Sequence, residues 1–66
     1  MKVSYDPETD AMHLVLLDTP VVESEEMRPG VILDYDEHGR VVGMEILHVQ
    51  KNLPGADAKH LELDVA

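Results

Sequence analysis

The chain of 66 residues contains no Cys, no Trp and no Phe, and its aromatic content is two Tyr. Without Cys there are no disulfides and no thiolate metal ligands, two common staples of very small domains. Without Trp or Phe no large ring is available to fill a core. Cations are scarce too: five Lys+Arg stand against fourteen Asp+Glu, for a formal net charge of −9. A surface that acidic repels phosphate backbones and anionic headgroups, so neither nucleic acid nor a membrane is expected as a direct partner. The same charge keeps a protein in solution, and it steers a basic protein partner into contact. Long apolar runs are also missing. The longest, Leu14 to Leu17, falls far short of the roughly 20 residues that cross a bilayer. Met1 to Asp6 turns acidic before any apolar stretch forms, so no signal peptide is expected and a cytoplasmic location is.

What is present makes one small domain over residues 1–66. Folding at this size buries only about 60% of the surface the unfolded chain exposes. With disulfides excluded, self-association is the common remaining source of stability, and a homodimer is expected.

The chain nearly repeats itself from Tyr5 to Tyr35. Tyr5-Asp6-Pro7-Glu8-Thr9-Asp10 leads into Ala11 to Leu17, and Tyr35-Asp36-Glu37-His38-Gly39-Arg40 leads into Val41 to Leu47, with no gap between the copies. Period-2 alternation and β-branched content predict five strands, at Lys2–Tyr5, Ala11–Leu17, about Val21–Met27, Val31–Tyr35 and Val41–Leu47. The fold class is therefore mainly β: an antiparallel meander of about five strands built from two similar hairpins. Asp18-Thr19-Pro20 and Arg28-Pro29-Gly30 supply turns around the third strand. That strand reads Val21-Val22-Glu23-Ser24-Glu25-Glu26-Met27, the acidic character an exposed strand uses against edge pairing. His48 to Leu53 suits one or two helical turns ended by Pro54-Gly55. His60 to Val65 alternates again, as an edge strand, a helix, or an arm adding to another chain's sheet.

A loop at Asp36–Gly39 sets Tyr35 opposite Arg40, Leu33 opposite Val42 and Val31 opposite Met44. One face then holds Val31, Leu33, Tyr35, Val42, Met44 and Ile46, and the other Ile32, Asp34, Val41, Gly43, Glu45 and Leu47. A loop at Asp6–Thr9 likewise gathers Val3, Tyr5, Met12, Leu14 and Leu16 away from Ser4, Ala11, His13, Val15 and Leu17. Because Thr9 suits the left-handed position poorly, a loop one residue longer, with Asp10 left-handed, is the alternative.

Candidate chemistry is thin. Asp34 to Glu45 places Asp, Asp, Gly, an aliphatic residue and Glu at positions 1, 3, 6, 8 and 12 of a calcium-binding EF-hand loop. His38 at position 5 and strand-forming flanks argue instead for a hairpin. The four histidines, His13, His38, His48 and His60, follow no known metal-ligand spacing. His13 shares the mixed face with Asp34 and Glu45; a metal-binding or hydrolytic cluster there needs the two hairpins to be neighbours. Ser4 and Ser24 lie in no nucleophile elbow, and glycines 30, 39, 43 and 55 form no phosphate loop. No catalytic, cofactor-binding or metal residues are assigned, no cofactor is expected, and the chain reads as a non-enzyme. The four Met, at 1, 12, 27 and 44, suit core or interface filling.

The blocks Tyr5 to Ala11 and Val31 to Leu47 together resemble the domain of unknown function 2283 family of small prokaryotic proteins, over roughly residues 1–53, leaving 54–66 as a tail. The resemblance implies a compact β-rich fold and an uncharacterised function. Some members resemble genes paired with small toxin-like neighbours, which implies an antitoxin-type role, and His13 stands where many relatives carry an aromatic residue. The reading is thus a small acidic protein-interaction domain, homodimeric and antitoxin-like, with a metal-binding or hydrolytic role for His13, Asp34 and Glu45 as the alternative.

Overall fold

A computed structural model describes residues 1–65. Five strands form one antiparallel sheet: β1 (Lys2–Asp6), β2 (Ala11–Val15), β3 (Glu23–Arg28), β4 (Val31–Tyr35) and β5 (Val41–Ile46), followed by a single helical turn, α1 (Val49–Asn52). The order across the sheet is β1-β2-β5-β4-β3. The strands are those the alternation predicts, but their order is not that of a continuous meander: β2 pairs with β5, and the chain crosses from β2 to the far edge to form β3. The reason lies in β3 itself. All six of its residues are exposed, and a strand carrying Glu23, Glu25 and Glu26 keeps its carboxylates hydrated only at an edge.

The first hairpin pairs Asp6 with Ala11 and closes through Pro7–Asp10, with Asp10 left-handed at φ 55. The second is tighter. Gly39 N–H donates to the Asp36 carbonyl and Asp36 N–H to the Arg40 carbonyl, with Gly39 at φ 75, the arrangement of a three-residue loop closed by a left-handed glycine. Tyr5 lies opposite Met12, two residues from the register of a loop at Asp6–Thr9 and one from that of the longer loop; Leu33 lies opposite Met44 rather than Val42, a shift of two, and Tyr35 opposite Val41 rather than Arg40, a shift of one. In the second hairpin one residue of the shift comes from the shorter loop and the other from a bulge at Val42, between the Tyr35–Val41 and Asp34–Gly43 pairs. A shift of two returns each side chain to its own face, so the predicted faces survive except beside the bulge, where Val41 stands opposite Tyr35 and leaves the face predicted for it.

The sequence repeat becomes a symmetry of the sheet. Moving 30 residues along the chain exchanges the pairs His13–Glu45 and Gly43–Val15, and leaves the pair Leu14–Met44 in place. The two hairpins are therefore related by a pseudo-twofold axis through Leu14 and Met44. The same shift turns Val3–Leu14 into Leu33–Met44, and Ser4–His13 into Asp34–Gly43.

Among the described residues only Val42 and Val49 are buried apolar residues, at 2% and 0% exposure. Val49 is fixed by Asp10, whose left-handed backbone turns both its carbonyl and its carboxylate toward α1. The carbonyl accepts from Val49 N–H (3.0 Å) and Oδ2 from Gln50 N–H (3.1 Å), while Oδ1 accepts from the Tyr5 hydroxyl (2.7 Å). A residue far away in sequence thus does the work of an N-cap, which His48 at the helix start does not supply. Residues 60–65 form none of the regular elements open to them in the sequence reading; they run as exposed, irregular chain.

Candidate functional site

Two environments concentrate polar groups, one on the mixed sheet face and one at the β4–β5 turn. On the mixed sheet face, Asp34 is buried (4% exposed) although it is a carboxylate at mid-strand. Its position follows from Gly43 opposite it. A Cβ on Gly43 would lie 3.0 Å from Asp34 Oδ2 and 3.1 Å from the Leu14 carbonyl oxygen, so the missing side chain opens the space over β5 that the carboxylate occupies. There Oδ1 accepts from the Ser24 hydroxyl (2.7 Å) and Oδ2 lies 3.7 Å from His13 Nε2. Under the pseudo-twofold, Ser4 and His13 stand where Asp34 and Gly43 do, so this cluster exists in one half of the sheet only.

The topology brings His13 and Glu45 directly opposite each other, and Asp34 beside His13. The neighbouring of the two hairpins that such a cluster requires is therefore real. Its chemistry is limited, however. Ser24 donates to the Asp34 carboxylate rather than to the imidazole, so the hydroxyl and His13 do not form a nucleophile–imidazole pair. Among the described residues no group of three or more His, Asp or Glu is arranged to hold a metal ion. What the arrangement offers is a buried carboxylate next to a half-exposed imidazole, a pair able to exchange a proton or to accept a cationic group. Ser24 and Gly43 were not legible as parts of it; their roles arise only from the cross-strand register.

At the turn, Asp36 is also buried, at 4% exposed. Burial alone would raise its pKa, but the N–H of Arg40, the Arg40 guanidinium and the N–H of His38 all donate to it, and together with the guanidinium charge they hold it below the usual carboxylate range. The Arg40 Nε to Asp36 Oδ2 distance is 2.7 Å. Asp6 keeps one element of this arrangement in the first hairpin, accepting from Glu8 N–H as Asp36 does from His38 N–H. Asp34 and Asp36, positions 1 and 3 of the EF-hand-like spacing, thus belong to different structures: one lies on a strand face, the other is consumed by its own turn. His38 approaches the adjacent exposed Glu37, and His60 the exposed Glu62 two residues on.

The third feature is the opposite sheet face, where Val3, Tyr5, Met12, Leu14, Val31, Leu33, Met44 and Ile46 stand together. None of them is buried. Tyr5 and Tyr35 at its margins are held above the ordinary phenol pKa, Tyr5 chiefly by its bond to Asp10 and Tyr35 chiefly by burial, with the Glu25 charge adding. No helix among the described residues is long and apolar enough to cross a membrane.

No curated protein and no solved structure matches the chain. A family model described as "Protein of unknown function (DUF2283)" matches residues 2–50, which takes in all five strands and the start of α1 and stops short of the tail. The match spans most of the 66 residues, and the chain belongs to this family.

Proposed function

We propose that this protein is a non-enzymatic interaction domain that works as a homodimer, packing its apolar sheet face against that of a second copy. The observation that carries the reading is that face: eight apolar or aromatic side chains side by side, none buried, where only two apolar residues among those described are buried. A contiguous apolar surface of that kind marks an interaction site. The acidic strand β3 then remains at the outer edge, where Glu23, Glu25 and Glu26 suit a cationic protein partner. An antitoxin-like pairing with a small basic protein is the form this takes, supported by the acidity and by the family resemblance.

The test is the molar mass of the full chain by light scattering across a concentration series, beside Leu33→Glu. The native chain is expected at twice its 7.4 kDa, with the variant at the single-chain mass and unchanged β-type circular dichroism. A native chain that stays at the single-chain mass throughout overturns the reading.

One observation favours a second reading, a metal-binding or hydrolytic role for His13, Asp34 and Glu45: the buried Asp34 lies 3.7 Å from His13. Zinc copurifying with the native chain and lost from His13→Ala would support it. Metal-free native protein that binds no added zinc would remove it.

A further inference from the structure

The pseudo-twofold exposes an asymmetry at the sheet edges. The outer side of β4 is paired with β3, with Ser24 opposite Asp34 and Glu25 opposite Leu33. The equivalent outer side of β1 carries no strand among the described residues. Meanwhile residues 60–65 alternate polar and apolar, and Leu61, Leu63 and Val65 are exposed to 68%, 88% and 82%. This is the pattern of an edge strand without a sheet.

We infer that residues 60–65 of one copy add to the β1 edge of a second copy, antiparallel, in the position that β3 holds on β4. The inference rests on the homodimer reading and names the arm that completes it. Register and direction follow from side-chain chemistry. Setting Tyr5 opposite Leu61 and Val3 opposite Leu63 extends the apolar face by one strand. The same register sets Lys2 opposite Asp64 and Asp6 opposite His60, complementary pairs at both ends. A parallel arm with Lys2 opposite His60 would instead place Asp64 against Asp6, and the β3 edge would set Glu62 and Asp64 against Glu23, Glu25 and Glu26, like charges in either case.

Area points the same way. Strands about 4.8 Å apart, with residues about 3.3 Å apart along them, give this five-stranded face a footprint of roughly 400 Å², about half of the ~800 Å² per partner that a stable interface buries. Reciprocal arms enlarge the contact on both copies. The second copy, rather than the chain's own sheet, is the acceptor because the segment leaves α1 through Pro54-Gly55 and a turn closed by Asp57, which accepts from Lys59 and His60 N–H. It then stays off its own sheet with all three apolar side chains outward.

The absence of Cys allows a direct test in the full chain. Val3→Cys and Leu63→Cys copies are mixed and oxidised gently, and the double variant is oxidised separately. A disulfide-linked pair of chains in the mixture, and intermolecular linkage in the double variant, are expected. Linkage within a single chain of the double variant overturns the exchange in favour of the chain's own edge. No linkage in a native-mass dimer overturns the arm and leaves the homodimer standing, whereas a monomeric native chain removes both. Independently, Leu61→Asp/Leu63→Asp is expected to weaken dimerisation at least roughly tenfold with circular dichroism unchanged; dimerisation within twofold of native overturns the arm.

Discussion

Asp36 shows how much a single carboxylate can organise at a turn: it accepts from two backbone N–H groups and the Arg40 guanidinium within five residues of chain. Asp36→Ala strips all three donors of their acceptor, while Asp36→Asn keeps an oxygen for the backbone donors and loses the charge. Urea unfolding should therefore place both variants below the native chain, with Asn between Ala and native. The pH dependence has a defined sign. Because its pKa is lower folded than unfolded, the unfolded state binds more protons in acid. Its stabilisation is complete above the unfolded carboxylate value of about 4 and is lost as pH falls through the folded value. The difference in urea midpoint between native chain and Asp36→Asn should shrink as pH is lowered through that range; a constant difference would count against the assignment. Gly43→Ala tests the other buried carboxylate. The new methyl would meet Asp34 Oδ2 and the Leu14 carbonyl, so Asp34 must leave its place over β5. The His13 ring resonances in nuclear magnetic resonance spectra should shift, and stability should fall. Little of this was legible in the sequence. The mixed face and its three titratable residues follow from alternation, but the burial of Asp34 depends on a glycine on another strand, and Asp10 serves a helix that begins 39 residues later.

Among the elements, strands and their faces follow from period 2, and the structure keeps them except beside the bulge, where Val41 pairs with Tyr35. Register was less legible because a bulge at Val42 and a shorter second loop each move it by one residue, and neither has a strong local signal. Strand order was hidden for another reason: β3 is excluded from the centre by its charge, a constraint visible only once the sheet is assembled. That charge carries a prediction. Glu25→Val/Glu26→Thr removes two of the carboxylates guarding the edge, and light scattering should show concentration-dependent aggregation beyond the dimer that the native chain lacks. The short helix is held chiefly from outside, by Asp10 and by burial of Val49. Val49→Ala should cost about 2 kcal/mol in unfolding free energy from lost burial and the cavity left behind, measured by urea titration; a loss within about 0.5 kcal/mol would mean that the helix contributes no core.

At the scale of the whole molecule, a duplicated hairpin gives the sheet an internal twofold, and a sheet with one apolar face and a one-turn helix leaves that face open. The homodimer and the exchanged arm are two consequences of that incomplete burial. The most direct measurement is an isotope-filtered nuclear Overhauser experiment on a mixture of labelled and unlabelled chains, which reports contacts between copies alone. Intermolecular contacts are predicted among the methyl groups of Leu14, Leu33 and Met44, around the pseudo-twofold axis. Contacts confined to Val15 and Ile32 on the opposite face, or none between copies, would contradict the account.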